Sequence, residues 1–288
     1  MSNLSPEAFG GHFSEGNFEA IYSQTAATFQ NQMDLDTFVA AANDFQDGRQ
    51  FTLNLQNSLE AGIHRYQWLD EAKERMITVA FDEDETIIGI QFDVYEKYET
   101  DRELSINAYH LPFEAEWFVL WGGNDLFLNY HYPYAHQRYA YDFIRKKDGQ
   151  SHSDDEGKNE AYHAFGSAVT APRSGTVIHV TDGVADNLPG RPDMSKPEGN
   201  YIILSHEYDE YTMLAHLRKH SITVKEGDHV EVGEPLAQCG NSGASDTPHL
   251  HFHVMDHADP DRANAIRIQF ADGQEPRQGD TVKGRVRR

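Results

Sequence analysis

The chain has 288 residues, 39% of them apolar and 11% aromatic, enough for two hydrophobic cores and unlike the composition of a disordered chain. Its 47 acidic side chains against 24 basic ones leave a net charge of -23, a field that repels phosphate backbones and anionic lipid and argues against a nucleic-acid partner. A single cysteine, Cys239, excludes an intramolecular disulfide.

The first twenty residues, MSNLSPEAFGGHFSEGNFEA, have neither a basic start nor an apolar stretch and do not read as a secretory leader. The longest apolar runs, such as Trp117 to Trp121, fall far short of the roughly 20 residues a membrane crossing needs. Residues 14 to 31 space Phe18, Ile21, Tyr22, Ala26 and Phe29 by three and four, which predicts an amphipathic helix with Ser14 as its N-cap. Phe38, Ala41, Ala42 and Phe45 predict a second helix over 35 to 46. Alternating patterns such as Phe51-Leu53-Leu55 and Ile77-Val79-Phe81 then predict antiparallel strands over 49 to 57, 62 to 69, 75 to 82 and 86 to 96. Two helices and a meander make an α+β domain, assigned to residues 1 to 104. Its pattern resembles the small NTF2-like or cystatin-like domains appended to bacterial enzymes, which bind, dimerise or space and carry no catalytic residues.

The charged segment from Glu96 to Glu103 is the expected linker. Beyond it, short β-rich runs alternate with turns such as Asp182-Gly183, Glu226-Gly227-Asp228 and Asn241-Ser242-Gly243. They predict a mainly antiparallel all-β domain over residues 105 to 288.

The chemistry concentrates in three places. Pro248-His249-Leu250-His251-Phe252-His253-Val254 has strand composition, so its three imidazoles fall on one face, about 6.5 to 7 Å apart. That spacing lets one imidazole hold a metal while the next reaches a water on that metal, and zinc suits neutral imidazole without a thiolate. His131 and His136 precede Asp142, and two histidines with one carboxylate leave a fourth zinc position open, the layout of a catalytic site. A lone His216 sits among apolar residues in Leu214-Ala215-His216-Leu217.

In order, Asp142, Ala171-Pro172-Arg173-Ser174-Gly175, Gly199-Asn200-Tyr201, Ala215-His216-Leu217, Gly227 to Gly233, Gly240 to Gly243 and Pro248-His249-Leu250-His251 resemble the M23 (lysostaphin-like, LytM) metallopeptidases over roughly residues 125 to 256. The resemblance implies that Asp142 and His251 are zinc ligands and that His216 and His249 are the two non-ligand catalytic histidines. It also implies an endopeptidase that cuts peptidoglycan stems or cross-bridges outside the cell or in its envelope, with the cytoplasm as the alternative for a chain without a leader.

The family's first ligand usually lies four residues before the aspartate, where this chain has Arg138. His131, in a loop that can fold back, is favoured for that role over His136, because six extended residues would hold His136 about 20 Å from Asp142. His253 stands where the family often has Glu and is read as exposed or as a neighbour of the ligands. His110, His163, His206, His220, His229 and His257 match nothing and are read as surface residues. Cys239 is read as a small buried residue rather than a nucleophile. The rival readings are a non-catalytic LytM-type module that binds or regulates another hydrolase, and a two-His, one-carboxylate iron oxygenase.

Overall fold

A computed structural model describes residues 4–60, 62–153 and 155–284; the start of the segment read for a leader, residues 1–3, lies outside the described residues. The chain divides into two compact units at Lys97/Tyr98. Tyr98 to Leu104 therefore go with the second unit, and the linker segment is split rather than left between the domains.

In the first unit, the single helix expected over 14 to 31 is two short ones, α2 (Phe18–Ser23) and α3 (Ala27–Gln32), and a further helix, α1 (Phe9–Ser14), precedes them. Gly16 at φ 78 ends the first turn run. Thr25 breaks the second by bridging Ile87, with Ala26 N–H donating to the Ile87 carbonyl. Ser14 is not a cap. It is buried at the end of α1, where its Oγ donates to the Gly10 carbonyl and accepts from Phe51 N–H.

Helix α4 (Leu35–Gln46) starts where expected, with Asp34 accepting from Thr37 N–H. Strands β1 (Phe51–Glu60), β2 (Ile63–Asp70), β3 (Arg75–Phe81) and β4 (Ile87–Val94) form a meander in that order. Phe9, Phe13, Phe18, Ile21 and Phe38 pack on Trp68, Ile77, Val79 and Phe81, giving a helix-on-sheet core.

The second unit is built on strands. β5 (Leu104–Tyr109), β6 (Glu116–Trp121), β7 (Tyr141–Ile144), β8 (Ala168–Thr170), β9 (Gly175–Thr181), β10 (Asn200–Ser205), β11 (Tyr211–Leu217), β12 (His229–Val230), β13 (Pro235–Gln238), β14 (Leu250–Met255), β15 (Ala265–Phe270) and β16 (Thr281–Lys283) succeed one another. The large sheet has the order β12-β9-β10-β11-β14-β7-β6-β16 and is antiparallel along that path; the pairing of β15 with β5 is parallel.

Strand β14 lies at its middle. One edge pairs with β11, and the other is shared by β7 at Leu250 to Phe252 and by β15 at Val254 and Met255. Leu250, Phe252 and Val254 enter the core with Val119, Phe143, Leu204 and Leu214. Each such burial is worth about 1.5–3 kcal/mol before the cost of ordering the chain. The alternation that buries these three turns His249, His251 and His253 to the opposite face.

Candidate metal centre

His251 is the cross-strand partner of Asp142 on β7 and of Ala215 on β11. Its Nδ1 lies 2.9 Å from Asp142 Oδ1. His131 reaches the same carboxylate from the loop before β7, with Nε2 3.6 Å from Asp142 Oδ2. One ligand atom from each of His131, Asp142 and His251 lies within 4.8 Å of the others, and all three residues are buried. His136 is not in this group: it is exposed on the rim of the same cleft, against Tyr134.

His216 arrives by a backbone irregularity. Strict alternation would send it into the core beside Leu214, but the β10–β11 register slips between Asn200/Leu217 and Ile202/Leu214. The bulge places His216 at φ 60, an unusual value for a residue with a Cβ. Ala215 and His216 both line the cleft while Leu214 and Leu217 remain in the core. The His216 ring ends 4.7 Å from that of His249 and 5.7 Å from that of His251.

Neighbouring oxygens set which nitrogen carries each proton. His216 Nδ1–H donates to the Ser242 carbonyl at 2.9 Å, and His249 Nδ1–H to the Thr247 carbonyl at 2.8 Å. A carbonyl can only accept, so both rings keep a lone pair on Nε2. His249 Nε2 lies 3.7 Å from Asp142 Oδ1. Both carbonyls belong to the loop 241–247, whose shape depends on glycine: a Cβ on Gly243, at φ 80, would lie 2.4 Å from Gly199 N.

His131 is set in the same way. The fully buried Asn129 donates through Nδ2 to the carbonyls of Gly123, Arg138 and Ala140, so its Oδ1 faces His131 Nδ1 at 2.9 Å. His131 Nε2 is thereby left basic toward Asp142. The sequence reading missed Asn129, and its signal was only an asparagine two residues from His131. His253 is buried rather than exposed, with Nδ1 3.0 Å from His251 Nε2. That contact holds the orientation of the His251 ring beside Asp142.

The charge states follow from burial and proximity. Burial holds His131 neutral, down to about 3, and keeps His216 and His253 well below the usual imidazole value. Burial alone would raise Asp142, but His131, His249 and His251 outweigh it and hold the carboxylate well below its usual range. Tyr130 donates its hydroxyl to Asp142 Oδ2 at 3.3 Å, and burial raises its pKa so that it stays protonated. Two imidazoles and one carboxylate, all oriented by hydrogen bonds and facing a cleft of roughly 820 Å³, match the donor set of an open zinc site.

The histidines read as surface residues divide. His220 and His229 are exposed, and His110, His163 and His257 are half-buried. His206 is a correction: it is buried, with its two nitrogens against the Ser174 carbonyl and Thr212 Oγ1. Cys239 is fully buried, and burial pushes its thiol far from the reactive range.

Residues 157–263 match the model of peptidase family M23. That match holds His216, His249 and His251 but begins after His131 and Asp142. An uncharacterized metalloprotease of Buchnera aphidicola is 34% identical over 100 residues, 35% of this chain and 24% of that protein. Peptidoglycan DD-endopeptidase ShyA of Vibrio cholerae is 34% identical over 73 residues, 25% of this chain and 16% of that protein. The chain thus spans about a quarter or less of the length of these relatives. Among solved structures, the catalytic domain of lysostaphin from Staphylococcus simulans is 20% identical with a TM-score of 0.30, covering 59% of this chain and 94% of that one.

Proposed function

We propose that this chain, whose residues 157–263 match the model of peptidase family M23, is a zinc endopeptidase acting on peptide bonds of peptidoglycan. The observation that carries this reading is the buried group of His131, Asp142 and His251 with the His216 and His249 rings beside it. These three residues are the ligands, and His216 and His249 are the catalytic bases. A peptidoglycan substrate would place the work in the cell envelope, as the relative named a peptidoglycan endopeptidase suggests. The first unit is an accessory body that leaves the chemistry to the second.

When bound, zinc lowers the pKa of a coordinated water toward about 7 and polarises the scissile carbonyl. The protein supplies the remaining work. His249 and His216, each with Nδ1–H tied to a carbonyl, offer Nε2 to the water's proton. The imidazole that takes the proton becomes a donor, ready for the oxygen that gains charge or for the departing amine. Ser242 and Thr247 keep the rings from turning as the charge moves. Trp121, Tyr130, Tyr134 and Met194 line the cleft with apolar surface against which a peptide can lie.

The test is release of new amino termini from purified peptidoglycan by the zinc-loaded protein, with a chelated sample beside it. Chelator-sensitive release is expected. Intact peptidoglycan after incubation with protein shown to hold zinc would overturn the reading and favour a module that regulates another hydrolase.

A further inference from the structure

The part of the expected linker that belongs to the second unit holds a buried carboxylate outside the metal centre. Asp101 is 8% exposed. Its Oδ2 accepts from the Tyr132 hydroxyl at 2.5 Å and from Tyr98 N–H at 3.1 Å, and its Oδ1 accepts from the Tyr139 hydroxyl at 2.8 Å. Both tyrosines lie in the loop that carries His131, and Tyr132 is its immediate neighbour.

Further contacts close the staple. Thr100 Oγ1 meets the Tyr139 hydroxyl at 2.7 Å, the Arg138 guanidinium lies 3.4 Å from the centre of the Tyr98 ring, and Arg138 Nε donates to the Tyr132 carbonyl at 3.0 Å. Asp101 is itself fixed, because Arg267 on β15 donates to its carbonyl at 2.6 Å. Both tyrosines stay protonated donors: burial, with the Asp101 charge, pushes Tyr132 up strongly, and burial pushes Tyr139 up to about 12.

The loop from Asn129 to Ala140 is a succession of turns with no strand pairing of its own. His131, unlike Asp142 and His251, therefore has no sheet to hold it. Asn129 grips the loop from inside. The segment from Tyr98 to Asp101 grips it from the other side.

We infer that Asp101 is a positioning residue of the metal centre, acting through Tyr132 and Tyr139 to hold His131 in reach of Asp142 and His251. The inference rests on the proposed zinc site. It assigns a function to a segment just before the second unit's first strand, outside the residues that match the family model.

The experiment is zinc affinity of the full chain, measured by competition with a chromophoric chelator, which reads the site without any peptide substrate. Asp101→Asn places an amide where a tyrosine hydroxyl must donate, and should weaken zinc about tenfold. Tyr132→Phe removes the same contact from the other end and remains available if Asp101→Asn fails to fold. In the double variant the two losses should not add. Ile268→Val, in the core of the same unit, supplies a mildly destabilised control that should keep its affinity for zinc.

Wild-type affinity in Asp101→Asn or Tyr132→Phe would overturn the inference. So would a loss in Ile268→Val as large as theirs, since the effect would then be general destabilisation. Failure of the wild-type chain to bind zinc is a separate result that overturns the metal site itself.

Discussion

His251 and Asp142 face each other across one rung of the β14–β7 pairing, and their side chains close to 2.9 Å. Backbone hydrogen bonding therefore fixes two of the three proposed metal donors, and only His131 depends on a loop.

Removal of a donor should abolish metal retention and activity together. His251→Ala and Asp142→Ala are expected to lose zinc on dialysis, measured by metal analysis, and to release no amino termini from peptidoglycan. The fold should persist in far-UV circular dichroism. Stoichiometric zinc in His251→Ala would remove that residue from the ligand set.

His216→Ala and His249→Ala should separate the two properties. Neither imidazole belongs to the donor group, so zinc content should stay near that of the wild type. Loss of the proton acceptor should lower kcat by about a hundredfold or more. Full turnover in His216→Ala would show that its bulged position serves only packing.

Asn129→Ala removes the acceptor that fixes the proton on His131 Nδ1. The freed imidazole can then carry its proton on Nε2, the nitrogen needed by the metal. Zinc affinity should fall about ten- to a hundredfold, the usual effect of losing a partner that orients a ligand. Chelator competition would register it, and unchanged affinity would assign Asn129 to the loop backbone alone.

Acid should destabilise the metal-free protein well before ordinary carboxylates titrate. His131, His216 and His253 are held neutral in the fold, whereas in an unfolded chain they take up protons below about pH 6.5. The unfolded state then binds more protons, so stability falls as pH falls, by up to about 1.4 kcal/mol per pH unit for each group. Asp142 has a lowered value in the fold, and its contribution, present above about pH 3.9, is lost as pH drops further. The melting temperature of the chelated protein should be level above about pH 7 and decline steadily below about 6.5. A melting temperature unchanged down to about pH 5 would contradict this account.

Much of the site was legible because it rests on period-two alternation. Leu250, Phe252 and Val254 are apolar and the intervening residues are histidines, so both the strand and the shared face of the imidazoles follow from sequence. The four-strand meander of the first unit followed for the same reason. Features set by one irregular residue were not legible. Thr25 cuts one apparent helix into two, because the apolar spacing from Phe18 to Phe29 runs across the break, and Gly16 ends a helix that begins before the expected one. The bulge that turns His216 into the cleft leaves no mark on an apolar run, since Leu214 and Leu217 look like any buried pair. Asp101 and Asn129 act through hydrogen bonds to remote segments, and a polar residue in a charged or turn-rich stretch carries no sign of a distant partner.

The two faces of β14 also constrain how the gene can change. The same six residues supply part of the core on one side and the imidazoles on the other. Inserting or deleting one codon within Leu250 to Met255 would exchange the faces, turning Phe252 and Val254 toward the cleft and histidines into the core. Point substitutions can alter one side at a time, but a change in length cannot. Length variation among descendants of this sequence should therefore collect in the connections on either side and leave this strand untouched.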